Sequence, residues 1–305
     1  MEQVIADDKP RRTSYSACNT LQGCERQYFL KYIAKAPKDA DATESDALCF
    51  GKAVHQLLEI CRWDWKTLKP GGHIETFQEF LPQADERTFK KVMACFIVGS
   101  ELHLKSKLQW VASENEIGGE DFVGYVDLIV KDDYGNWRIV DLKTAAKFDD
   151  KLICRLHADP QLNFYAYFVD EIARKLGLDP KKFTSVHYRV VVKPSLVPQK
   201  EENPRDYGKR ASEAYDVIVP AKMLDPEAAF QKMLRLRKRT QELTAENAEC
   251  NRQNCFSFFR PCDFWSQCHG KLFTESRENL MVFTTKTMVD LTEKTVADTG
   301  EDLLM

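Results

Sequence analysis

Residues 109–144 read "QWVASENEIGGEDFVGYVDLIVKDDYGNWRIVDLKT". Apolar and polar positions alternate through this stretch, β-branched and aromatic residues are frequent, and Gly118–Gly119 and "DDYGN" (132–136) interrupt it where chain reversals belong. The pattern predicts a meander of three strands whose last strand ends at Asp141–Lys143. Inside the second strand, "FVGYVDLIV", Asp127 breaks an otherwise apolar run one hairpin before Asp141. Neighbouring antiparallel strands in matching register would bring these two carboxylates together. Lys143, two residues beyond Asp141, would point to the same face.

Working outward, the N-terminal side reads as helical. Apolar and aromatic residues recur at helical intervals from Ser14 to Ile33, a segment that carries Cys24. A polar loop (35–46) follows, then an amphipathic helix over Phe50–Trp63 with His55 and Glu59 on one face, and a third helix over Arg87–Lys105. Beyond the meander the sequence predicts a helix through Leu162, Tyr165, Val169 and Ile172, and a strand at "SVHYRVVV" (185–192). A Pro-rich polar insertion then runs to about Ser212, followed by a strand at "AYDVIVP" (214–220) and a helix from Lys222 to about Glu246. Helices followed by a meander, helix and strand imply an α/β domain with a mixed central sheet flanked by helices.

The chain has 305 residues with 43% hydrophobic content, enough for a full core. No apolar run approaches the ~20 residues of a membrane span, and the N-terminal "MEQVIADDKPRRTSYS" has no signal-peptide core, so a cytoplasmic protein is expected. In that compartment the ten cysteines are not a disulfide scaffold; they are metal ligands or buried thiols. The net charge of −3 argues against indiscriminate polyanion binding and leaves a local basic groove open.

Two converging carboxylates repel unless protonated or neutralised, and a hard divalent cation neutralises them with oxygen ligands. An ammonium beside such a site suits phosphodiester hydrolysis. Read singly, Asp141 and Lys143 are as well explained by a surface ion pair, His55 by a contact with Glu59, and Tyr165 by core packing. Their joint occurrence is what counts.

In order and spacing, "FGKAVHQLLE" (50–59), "GYVDLIV" (124–130), "IVDLKT" (139–144) and "QLNFY" (161–165) resemble the RecB-like branch of the PD-(D/E)XK nucleases, over about Tyr15 to Cys268. The resemblance implies a restriction-endonuclease-like core and a Mg2+- or Mn2+-dependent deoxyribonuclease, an exonuclease before an endonuclease. It makes His55, Asp127 and Asp141 metal residues with Leu142 in the same set, Lys143 the catalytic lysine, and Gln161 and Tyr165 a Q-x-x-x-Y motif behind the site. Glu114 is a weaker candidate. Asp141 stands where many relatives carry Glu.

The C-terminal "CNRQNCFSFFRPCDFWSQCHG" (250–270) sets thiols among aromatics, which suits an iron–sulfur centre, while zinc would also accept four thiolates. Members of the same family hold a 4Fe-4S cluster with one cysteine near the N-terminus and three near the C-terminus. That likeness implies Cys24, Cys255, Cys262 and Cys268 as ligands, with Cys250 able to replace Cys255 and His269 a weaker alternative. For Cys18, Cys49, Cys61, Cys95 and Cys154 burial is expected.

The implied organisation is one nuclease domain over 1–272, made of a helical part (14–106), a catalytic core (107–220) and a helix with the cysteine-rich segment (221–272), ahead of an acidic tail (273–305). The cluster would join the N- and C-terminal segments. The implied partners are DNA, as single strands or duplex ends, and a recombination or CRISPR-adaptation protein. The basic run "QKMLRLRKRT" (231–240) is either a DNA-channel wall or a solvated helix face. The rival reading is a catalytically inactive DNA- or protein-binding module with a structural zinc.

Overall fold

The computed structural model describes residues 12–39, 46–68, 75, 79–257 and 260–269. The expected acidic tail and residues 40–45 of the 35–46 loop lie outside them. Among the described residues no helix is long and apolar enough to cross a membrane. The chain divides into two compact units, Met1–Asn19 with Glu44–Gln241 and Thr20–Thr43 with Glu242–Met305.

The larger unit is built on a six-stranded mixed sheet of β1 (Thr13–Ser14), β2 (Gln109–Ile117), β3 (Phe122–Lys131), β4 (Trp137–Ala145), β5 (Phe183–Val192) and β6 (Ala214–Pro220). The strands β2, β3 and β4 form the expected antiparallel meander. β5 joins β4 in parallel and β6 closes the far edge antiparallel to β5, while β1 adds to β3 in parallel.

Period-2 alternation gives the sheet two apolar faces. Ile129, Ile139, Val186, Tyr188 and Val190 pack against the helices that follow β4, whereas Leu128, Val130, Val140, Leu142 and Val191 pack against α3 (Asp46–Ile60) and α4 (Glu86–Lys105). On α3 the residues Phe50, Ala53, Val54, Leu57 and Leu58 recur at helical spacing and are buried. The Asp85 carboxylate caps α4 by accepting the Thr88 N–H at 2.7 Å.

Several elements differ from the sequence expectation. The helix expected over Ser14–Ile33 is broken into α1 (Tyr15–Gly23), α2 (Glu25–Tyr28) and a π-helical turn (Phe29–Ile33), because Cys24 takes an extended backbone and caps α2. α3 stops at Ile60 instead of Trp63. Arg62 and Trp63 adopt left-handed conformations (φ 47° and 61°) that swing the Trp63 ring back into the core. The helix expected after β4 is three: α5 (Asp150–His157), α6 (Pro160–Tyr167) and α7 (Val169–Leu176). The presumed polar insertion before Ser212 contains α8 (Pro204–Ala211), capped by Asn203 with Pro204 in its first turn. The helix expected over Lys222–Glu246 is α9, Pro226–Glu242. Its Arg237 is bound to Asp121, by a 2.8 Å ion pair and a 3.1 Å bond to the backbone carbonyl, which makes this cation part of the scaffold.

Beneath α4 lies a charged layer. Arg189 on β5 is fully buried, forks onto both oxygens of Asp216 on β6 at 2.9 Å, and stacks 5.5 Å from the Trp63 ring centroid. His103 on α4 is 5% exposed with no partner at Nδ1. Burial, reinforced by Arg189, lowers its pKa from 6.5 to about 4. A histidine depressed by folding stabilises fully above its unfolded pKa and loses that contribution as pH falls toward the folded one. Acidification from pH 6.5 to 4 should therefore remove about 3 kcal/mol through this residue alone. Urea unfolding across that window should show a shallower acid loss in His103→Leu than in the parent; parallel profiles would contradict the assignment.

Candidate active site

The antiparallel register of β3 and β4 runs from Lys131–Trp137 to Leu128–Val140. One step further it places Asp127 opposite Asp141. There the ladder gives way to a side chain: the Leu142 N–H donates to Asp127 Oδ2 at 2.7 Å. The Leu142 carbonyl in turn accepts from His55 Nε2 at 3.1 Å, and His55 Nδ1 lies 3.5 Å from Asp127 Oδ2. α3 can approach this closely because Gly51 has no side chain; a Cβ there would sit 3.3 Å from Thr144 Oγ1.

On the other face of β4, Lys143 Nζ is 2.7 Å from Asp141 Oδ2 and donates to Gln161 Oε1 at 3.2 Å. Gln161 Nε2 donates to the Tyr165 hydroxyl at 2.7 Å. Both sit on α6, one turn apart, and Asp159 starts that helix by accepting the Gln161 N–H at 2.9 Å. The lysine ammonium also lies 5.7 Å from the Tyr188 ring centroid. Thus the site is a set of two polar groups, His55–Asp127–Leu142 and Asp141–Lys143–Gln161–Tyr165, joined through the β4 backbone at Asp141–Leu142–Lys143.

The charges in this set do not balance. Burial, then Asp141, raises the Asp127 carboxyl well above its ordinary range, despite the bond from Leu142. Burial lowers His55. For Lys143 burial works against the ammonium, but Asp141 outweighs it and the net shift is upward. A carboxyl strained toward protonation at Asp127, with the Asp141 carboxylate on the next strand and an imidazole and a backbone carbonyl adjacent, is a donor set that fits a hard divalent cation.

A model of the PD-(D/E)XK nuclease superfamily matches residues 12–269. The chain belongs to the PD-(D/E)XK nuclease superfamily. No curated protein sequence matches it significantly. Membership implies nuclease activity with a divalent metal and DNA as substrate, and the mixed sheet between helices is consistent with the superfamily's fold.

In this nuclease one acidic residue has more weight than its sequence suggested. Glu114 lies on β2 between the pairs Ser113–Leu128 and Asn115–Val126, hence beside Asp127, with a left-handed backbone (φ 46°). One ligand atom each of His55, Glu114 and Asp127 fall within 4.8 Å of one another. Burial, then Asp127 and Glu59, pushes the Glu114 carboxyl up to about 7. Strained backbone at a non-glycine residue is tolerated where it aims a functional side chain, and nothing in the residue order signals it. Glu114→Gln is expected to weaken Mn2+ binding about tenfold or more, read by calorimetric titration. Unchanged affinity would remove Glu114 from the ligand set.

The smaller unit of the nuclease holds five of the ten cysteines, Cys24, Cys250, Cys255, Cys262 and Cys268. Cys24 Sγ accepts the Gln27 N–H at 3.5 Å and the Asn251 N–H at 3.4 Å, and Cys262 Sγ accepts the Phe264 N–H at 3.4 Å. Cys250 and Cys255 lie with their sulfurs 3.6 Å apart, Cys250 exposed and Cys255 buried. Burial and then the neighbouring cysteines push Cys255 up to about 12, and Cys268 likewise under Cys250, Cys262 and Cys24. These five cysteines thus lie near one another, and backbone N–H groups point at the sulfurs of Cys24 and Cys262. The His269 side chain lies outside the described residues. Elsewhere Cys18, Cys61 and Cys95 are buried as expected, Cys49 is half-buried, and Cys154 is exposed on the outer side of α5, contrary to expectation.

Proposed function

We propose that this protein is a Mg2+- or Mn2+-dependent deoxyribonuclease of the RecB-like group that degrades DNA from its ends and carries a 4Fe-4S cluster. The observation that carries the reading is the meeting of two polar groups, His55–Asp127–Leu142 and Asp141–Lys143–Gln161, on the β4 backbone where its pairing with β3 ends. His55, Asp127, Asp141 and the Leu142 carbonyl would hold the cation, with Glu114 beside them. When bound, it polarises a phosphoryl oxygen and lowers the pKa of water. Lys143 steadies the attacking water or the charge developing on the phosphate, Gln161 fixes the lysine's position, and Tyr165 fixes Gln161.

Exonucleolytic action rests on the likeness of the four motifs to end-processing relatives, and extends to a role in recombination or CRISPR adaptation beside a partner protein. It is tested with linear and covalently closed circular DNA under Mg2+, with EDTA as control. Degradation of the linear form alone supports it, whereas nicking of the circle contradicts end dependence.

For the cluster we assign Cys24, Cys255, Cys262 and Cys268 as ligands, with Cys250 next in line. The role is structural, tying residues 20–43 to the C-terminal segment. Anaerobically purified protein should be brown with iron and sulfide in equal amounts, and Cys24→Ser should lose both. Colourless protein with stoichiometric zinc would overturn the iron–sulfur assignment.

A further inference from the structure

The catalytic cleft, about 680 Å³, shares Ala47, Phe80 and Lys193 with a second cleft of about 630 Å³ in the same unit. The second cleft is walled by the start of α3, residues 80–84, the first turns of α4 and the end of β5. Part of its wall is apolar, with half-buried Phe80 and Leu81 next to Pro82, and its charged residues are the cations Lys91 and Lys193 and one carboxylate, Asp46. Lys193 is held in place by a 3.1 Å bond to the Ala47 carbonyl and lies 4.8 Å from the Phe50 ring centroid.

Building on the nuclease reading above, we propose that this second cleft binds the unpaired DNA strand adjacent to the scissile phosphate. Its bases would lie on the Phe80–Leu81 wall and its phosphates would meet Lys91 and Lys193. The chemistry of the walls carries the choice of strand state. A duplex keeps its base faces stacked inside and offers a protein mainly phosphate and sugar, so an apolar wall gains little from it. A single strand exposes those faces, and each base stacked on an aromatic ring is worth about 1–3 kcal/mol, while lysines track the backbone. The volume lies within the range of about 300–1,000 Å³ usual for small-molecule pockets, enough for a nucleotide-sized group. Burial lowers the Lys193 ammonium from its ordinary pKa, a cost that an incoming phosphate offsets. Because the two clefts share residues, a strand lying in one leads its next phosphate toward Lys143.

The test measures binding of fluorescein-labelled oligodeoxythymidine and of a blunt DNA hairpin to the full chain by anisotropy, with Ca2+ replacing Mg2+. Parent, Phe80→Ala and Lys91→Ala are compared, with melting curves confirming that both variants fold. The proposal expects each variant to lose about tenfold in affinity for the single strand, with hairpin affinity unchanged in Lys91→Ala, whose side chain lines the second cleft and not the catalytic one, and KM for single-stranded substrate raised more than kcat is lowered. Equal losses on both DNAs, or no loss on the single strand with either variant, would overturn it. The nuclease reading fails separately: if the parent binds single strands through this cleft but cleaves nothing, the groove stands and the catalytic assignment falls. If the parent cleaves with metal while both variants bind single strands normally, only the groove is lost.

Discussion

Lys143→Ala is expected to reduce the rate of phosphodiester cleavage about a thousandfold or more, with the melting temperature and Mn2+ affinity little changed. Removing a single group that stabilises transition-state charge costs about 10²–10³ in rate, and a positioned proton-handling group is worth up to about 10⁴. Lys143 is placed for either role: its ammonium is fixed between Asp141 and Gln161 and is kept charged by Asp141. The side chain is a third exposed, so its removal leaves no cavity in the core. Single-turnover kinetics on labelled DNA would read the effect. A loss below about tenfold would mean that Lys143 only pairs with Asp141.

Asp216→Ala should be the most damaging stability variant of the larger unit, at about 3–5 kcal/mol. Although burial opposes it, the paired hydrogen bonds from Arg189 hold the Asp216 carboxyl well below its ordinary range. Truncating it strands a guanidinium with no solvent exposure. Replacing both partners, as in Arg189→Met with Asp216→Leu, should restore most of the loss, because a packed apolar pair avoids the desolvation of the ions. Urea midpoints for the three proteins decide the matter; an equal loss in the double variant would show that shape, and not the stranded charge, dominates.

How much of this was legible in sequence depends on the range of the interaction. The β2–β3–β4 meander was readable because turn residues and period-2 alternation are local signals, and Asp127, Asp141 and Lys143 came with it. Gln161 and Tyr165 were implied by the resemblance of "QLNFY" to a family motif, and their one-turn spacing added only that they share a helix face. The left-handed backbone that aims Glu114 was not, since it depends on the partner strand. The short helices α5 and α8 carry real caps, Asp149 accepting from Leu152 and Asn203 accepting from Arg205. With only about two turns each, they are too short for apolar periodicity to stand out. Cys24 looked like a residue within a continuous helix, and its role as the cap of α2 became visible only where the C-terminal segment supplied Asn251. Arg189 lies in an otherwise apolar strand, and its burial makes sense only once Asp216 is placed opposite it.

The most direct measurement of the central claim is hydrolysis of end-labelled DNA by the parent protein and by Asp141→Asn, each with Mn2+ and with EDTA. The account predicts cleavage by the parent only with the metal, and a collapse of that cleavage in the variant at unchanged fold. Metal-independent cleavage, undiminished cleavage by Asp141→Asn, or a folded parent that cleaves no DNA at all would contradict it.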